Sequence, residues 1–218
     1  LGDQLQEEEI SAATIAQLAE VPGASGRRDP VSVVEEQALT RDQDLIPVRH
    51  ARMSATPFTF YRGAAAVMTA DLAATPDSGI HTQLCGDAHL SNFGVFYTRE
   101  RRMIFDINDF DETHPGPFEW DVKRLAASVV IAGRNNGFKK KQTAKHARAV
   151  ARYYRNYLLA SVELSTLDCW YARIDVDNRL PELRKRLDSS TAESTQKMLK
   201  KARHRDSMQA VSKLCWVD

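Results

Sequence analysis

Leu84-Cys85-Gly86-Asp87-Ala88-His89-Leu90-Ser91-Asn92 is followed by Met103-Ile104-Phe105-Asp106-Ile107-Asn108-Asp109-Phe110-Asp111-Glu112. An apolar strand runs into Gly86-Asp87, and Asn92 follows at D-x-x-x-x-N spacing. A short hairpin then leads to a second acidic segment. Phosphoryl transfer asks little covalent chemistry of a protein. It needs a carboxylate to accept or orient the proton of the attacking group, and oxygen ligands for the metal that holds the phosphates. Asp87 fits the first role, and Asn92 and Asp109 fit the second.

Working outward, Ile80 to Cys85 reads as the strand entering this loop. Phe93 to Tyr97 and Met103 to Ile107 read as two strands joined by the polar Thr98-Arg99-Glu100-Arg101-Arg102. Thr113 to Phe118 carries two prolines and a glycine and is expected to be a loop. Glu119 to Gly133 has Val122, Leu125, Ala126, Val129 and Val130 on one face, so it is a helix, closed by Asn135-Asn136-Gly137.

Helices dominate elsewhere. Ile10 to Glu20 is a short amphipathic candidate, and Val21 to Asp29 is a linker. Asp29-Pro30 opens a helix with an N-cap and a first-turn proline. Leu45 to Met53 reads as another helix, and Phe58 to Ala74 as one more after Pro57. A long basic helix is expected from Lys139 to Leu164, and mostly charged helix from Asp175 to Leu214. Residues 1–28 form an N-terminal helix and linker, and residues 29–218 the main domain.

Bulk properties exclude several classes. The net charge is +1, so nothing electrostatic points to nucleic acid or an anionic membrane as the main partner. No apolar run is long enough to span a bilayer, and the acidic start (Glu7, Glu8, Glu9) is not a signal sequence. Cys85, Cys169 and Cys215 are scattered and form no zinc spacing, which fits free thiols in a reducing cytoplasm.

Each candidate has a plainer reading. Asp87 alone could cap a turn. His89 is either part of a catalytic loop or a loop histidine holding carbonyls. Asp106, Asp109, Asp111 and Glu112 place four carboxylates in one short segment, whose repulsion a divalent cation, Mg²⁺ or Mn²⁺, would relieve. Asp106 competes with Asp109 as the ligand. Asp121 either braces the catalytic loop or complements a helix dipole. Arg62 binds a phosphate or makes a structural ion pair, and Arg124 is placed to reach back toward the acidic residues. Lys139-Lys140-Lys141 reads as a solvated helix start.

Several resemblances add to this. Asp109-Phe110-Asp111 resembles the Asp-Phe-Gly motif of kinases, and Gly116-Pro117-Phe118-Glu119-Trp120-Asp121-Val122 resembles the Gly-x-x-x-x-Asp-Leu context of small-molecule kinases. In aminoglycoside-phosphotransferase-like enzymes the Asn-to-Asp spacing is slightly shorter, which favours Asp106. Pro57 to Ala65, Leu84 to Gly94 and Phe105 to Ala127 resemble the bacterial family called domain of unknown function 2252, from about Asp29 to Leu214. That resemblance implies members about twice this length, with a glycine-rich segment and a strand lysine downstream. No G-x-G-x-x-G occurs in this chain, so it is expected to lack the lobe that cradles ATP.

The expectation is therefore an α+β, mostly helical, partial protein-kinase-like fold of the C-terminal-lobe type with a catalytic-loop β-hairpin. Its activity would be Mg-ATP-dependent phosphoryl transfer to an unknown small-molecule or protein acceptor. Two rivals stand beside it: a metal-dependent phosphoesterase, prompted by Gly86-Asp87-Ala88-His89, and a non-catalytic interaction module.

Overall fold

A computed structural model describes residues 14–21, 23 and 25–203. In chain order the elements are α1 (Ile15–Leu18), α2 (Pro30–Ala38), α3 (Ile46–Met53), α4 (Pro57–Gly63), α5 (Ala65–Ala73), β1 (His81–Leu84), β2 (Phe93–Tyr97), β3 (Met103–Ile107), β4 (His114–Pro117), α6 (Glu119–Asn135), α7 (Lys140–Val162), α8 (Thr166–Tyr171), β5 (Ile174–Asp175), α9 (Val176–Arg184) and α10 (Ser189–Arg203). The fold is α+β, with mostly helices and two small antiparallel sheets. The chain divides into two compact units. One comprises the chain up to Ser91 with Asp109–Leu158, the other Asn92–Asn108 with Leu159 onward.

In the first unit, local chemistry starts the helices where the sequence places them. The Asp29 carboxylate accepts the Ser32 N–H at 3.0 Å and Pro30 opens α2. Thr56 and Thr59 form a capping box ahead of Pro57. The helix expected over Phe58 to Ala74 is instead two, because Ala64 leaves helical geometry at φ −118° and ψ 40°. Gly63 there meets α3 so closely that a Cβ would lie 2.7 Å from Met53 Cγ. The core of this unit is Val33, Val34, Met53, Ala64 and Val67.

The Thr113 to Phe118 loop expectation is corrected. His114–Pro117 is a strand, β4, antiparallel to β1, with Leu84 opposite His114 and His81 opposite Pro117. Pro115 and Pro117 lack amide hydrogens, but a two-stranded ribbon consists of edges, where prolines fit. Gly116 permits the contact, since a Cβ there would lie 2.8 Å from Leu84 Cδ1. Glu119, opening α6, ties this ribbon to the preceding turn by accepting the Ser78 N–H and O–H, both at 2.8 Å. Farther along α6, Gly133 faces Thr143 of α7, which is fully buried.

The second unit is the sheet β2-β3-β5 with α9 and α10. The expected hairpin is present, pairing Phe93 with Ile107 and Tyr97 with Met103. Met103, Val176 and Leu199 form the core beneath it. Strand β5 and helix α8 were not expected from sequence. The Ile10 to Glu20 helix is seen as Ile15–Leu18, residues 10–13 lying outside the described part. The final helix is described to Arg203, so the expectation for residues 204–214 also lies outside it, as does Cys215. No described helix is long and apolar enough to cross a membrane.

Candidate functional site

Strand β1 delivers the chain to Gly86, whose φ of 82° only glycine adopts without strain. A Cβ there would also collide with the Glu112 carbonyl. The sharp turn leaves Asp87 directly after it, at 9% exposure. Three groups fix this loop. Asp121, in the first turn of α6, accepts the Cys85 N–H at 2.8 Å and the Gly86 N–H at 3.2 Å. Ser128, about two turns further along α6, accepts the Leu90 N–H at 2.9 Å. Thr113 donates to the Leu84 carbonyl at 2.6 Å. The loop is thus held from both sides by side chains rather than by sheet hydrogen bonds.

Arg124 is 3% exposed, and its guanidinium grips Asp87, with Nε 2.6 Å from Oδ1. Its Nη2 also donates to the Tyr61 carbonyl at 2.9 Å, while the Tyr61 hydroxyl donates to the Arg124 carbonyl at 2.9 Å. The guanidinium lies 4.4 Å above the centre of the Tyr61 ring, a cation–π contact. Burial pushes the Tyr61 phenol up to about 12, so it stays a donor across the physiological range. Tyr61 was missed in the sequence, where Arg62 beside it drew attention as the charged residue. The aromatic at helical spacing ahead of a second helix was the available signal.

His89 is 6% exposed, with Nε2 3.5 Å from Asp87 Oδ2 and a buried Nδ1 that has no hydrogen-bond partner. Burial holds its imidazole below the ordinary histidine value; Asp87 opposes this, and the cations Arg124 and Arg62 add to it. Arg62 itself is exposed on α4 and acts on His89 through its charge. Burial also pushes the Cys85 thiol up to about 12, with Asp121 adding to it.

The acidic segment is divided between the units. Asp109 and Asp111 are exposed in the first, where Asp109 Oδ1 accepts the Asp111 N–H at 3.2 Å. Glu112, partly buried, is raised above the usual carboxylate range by burial and then by Asp87, Asp109 and Asp111, with Arg41 opposing. In the second unit, Asn92 is 7% exposed and its carbonyl accepts the Asn108 N–H at 2.9 Å. Asp106 there is exposed, and its Oδ1 accepts the Ile107 N–H at 2.8 Å. The first unit therefore brings together Asp87, His89, Asp121 and Arg124, while Asn92 and Asp106 sit in the other. Among the described residues, no three His, Cys, Asp or Glu side chains gather as ligands for a metal ion.

Residues 41–218 match the family described as uncharacterized protein conserved in bacteria (DUF2252). The chain belongs to this family. The match spans the loop, its Arg124 clamp and the acidic segment. No curated protein and no solved structure matches the chain.

Proposed function

We propose that this chain carries the catalytic loop of a kinase-like, Mg-ATP-dependent phosphotransferase. The observation that supports the reading most is the fixed Asp87. It follows a strand through the Gly86 turn, the two amides before it are held by Asp121, and Arg124 holds one of its oxygens from a buried position. A proton-accepting or hydroxyl-orienting carboxylate works by being aimed, and such multiple restraint supplies the aim.

The donor set suits a hard cation. Asp109 and Asp111 of the first unit offer oxygen only, which Mg²⁺ or Mn²⁺ prefers. Magnesium commonly takes one or two protein oxygens and fills its remaining positions with water and phosphate. When bound, the ion would neutralise phosphate charge. A metal hydrolase of the Asp-x-His type needs a larger ligand set, which the described residues do not gather. In this reading His89 stays neutral beside Asp87, and Arg124 positions Asp87 instead of holding nucleotide, since it is buried and its Nε and Nη2 donors are engaged by Asp87 and Tyr61.

A second reading, an interaction module, has one observation in its favour. In the second unit Leu159, Val162, Leu167, Trp170 and Tyr171 are all exposed, Trp170 at 82%. Such a run is characteristic of a surface that meets another polypeptide.

Calorimetry and thermal melts with Mg²⁺, Mn²⁺ and Mg-ATP, beside an ADP-release assay on a longer homologue, test the proposal. Metal should raise the melting temperature of this chain, and Asp109→Asn should abolish the rise. Asp87→Ala in the longer protein should remove transfer while sparing nucleotide binding. Absence of any nucleotide binding by the longer protein would leave the interaction reading ahead.

A further inference from the structure

The near-zero net charge of the whole chain conceals a segregation. From Val122 to Val162 the sequence holds ten Lys and Arg residues and no Asp or Glu, although the chain has 30 of the first kind and 29 of the second. Helix α7 sets half of these ten in one line. Lys141, Lys145, Arg148, Arg152 and Arg155 recur at steps of four and three residues, and all five are exposed in the first unit. At about 3.6 residues per turn they fall within roughly 80° of one another, and about 160° around the helix from Thr143. Thr143 is 1% exposed and Tyr154 stacks on Phe118 at 6.1 Å, so the opposite face is held by the protein and the cations face solvent. Among the described residues none of the five has a carboxylate partner. We propose that this ridge docks duplex DNA, with α7 entering the major groove.

Five unpaired cations along one face attract a polyanion, and the rest of the ridge chooses which. Its flanks are Ala144, Ala149, Ala151 and Asn156. A protein interface centres on an aromatic or aliphatic anchor and is depleted in Lys, and the ridge has no such anchor. An interfacial membrane helix sinks the face opposite its cations into lipid, whereas here that face packs on the protein. Single strands stack their bases on aromatic rings beside the phosphate contacts. Tyr153 and Tyr157 lie roughly 120° or more around the helix from the centre of the ridge, so they offer no such platform. Phosphates of a duplex require only the cations, and the small flanking alanines let the backbone come close. An α-helix with its side chains is about 10–12 Å across and the B-form major groove about 12 Å wide, whereas the A-form groove of duplex RNA is too narrow. Groove entry also needs a helix clear of the protein body, and residues 151–158 are exposed without a break. The ridge is about 21 Å long, the reach of roughly six base pairs.

Fluorescence anisotropy of a labelled 20-base-pair DNA duplex, titrated with the full 218-residue chain without metal or nucleotide, tests the assignment. The affinity should fall with salt at a log–log slope of about −4, or roughly 250-fold between 50 and 200 mM. Arg148→Gln with Arg152→Gln should reduce the magnitude of that slope by about two. Gln is as good a helix former, so the melting temperature should stay within about 2 °C of the parent. Lys197→Gln with Lys200→Gln, the same charge change at exposed positions of α10, should leave DNA binding unchanged. Duplex RNA of the same sequence should bind about ten-fold more weakly. An unchanged slope in the ridge variant, an equal loss in the α10 variant, RNA or single-stranded DNA binding within about two-fold of the duplex, or displacement of the DNA by phosphatidylglycerol vesicles at equal phosphate concentration would each overturn the proposal.

Discussion

Replacing Arg124 by Met removes one half of a buried ion pair while keeping much of the apolar volume. Arg124 is 3% exposed and its side chain contacts Asp87, the Tyr61 carbonyl and the Tyr61 ring. Leaving a buried carboxylate without its partner costs about 3–5 kcal/mol. For a chain of this size that corresponds to a fall in melting temperature of roughly 6–20 °C. Asp87→Asn leaves the guanidinium unpaired instead and should also destabilise. The double variant removes both charges, so it should recover about 1–3 kcal/mol relative to the sum of the singles. Histidine NMR gives a second readout, because Arg124 lowers the His89 value and Asp87 raises it. Arg124→Met should move the His89 titration upward and Asp87→Asn should move it further down. Urea and thermal unfolding of the four proteins measure the energies. Additive single effects, or a His89 titration that ignores both substitutions, would refute the argument that Asp87 is held by a charge partner.

Further outcomes follow from other contacts. Tyr61→Phe keeps the ring beneath Arg124 but loses its hydroxyl bond, and should cost about 1 kcal/mol in urea unfolding. Gly86→Ala should destabilise by more than about 3 kcal/mol, since positive φ and a collision with the Glu112 carbonyl act together. Glu112 has a raised value in the folded state, so its contribution is fully present below the ordinary carboxylate range and is lost as pH rises through the raised value. Glu112→Gln should therefore raise the melting temperature at neutral pH, with the gain fading in acid. His89 has the opposite sign: its lowered value gives stability above the ordinary histidine range that is lost as pH falls, and His89→Gln should flatten that limb. Peptide-resolved alkylation at neutral pH should modify the exposed Cys169 well before the buried Cys85, whose thiol is pushed up to about 12.

Local signals carried much of the fold. Asp29-Pro30, the Phe93 to Ile107 hairpin and the Asn136-Gly137 stop are each written within a few residues, and each stands where those residues place it. The Gly86-Asp87 turn and the involvement of Asp121 were legible for the same reason: strand end, glycine and helix start have short-range signatures. What only the tertiary structure decided depends on residues far apart in the chain. His114–Pro117 becomes a strand because β1, about thirty residues earlier, offers it an edge. The break at Ala64 accompanies close packing of Gly63 on Met53, which no propensity of Phe58 to Ala74 encodes. Most of all, the pairing of Asp87 with Arg124 over Tyr61 joins three elements. Charge-partner choice is set by burial, and burial belongs to the packed chain.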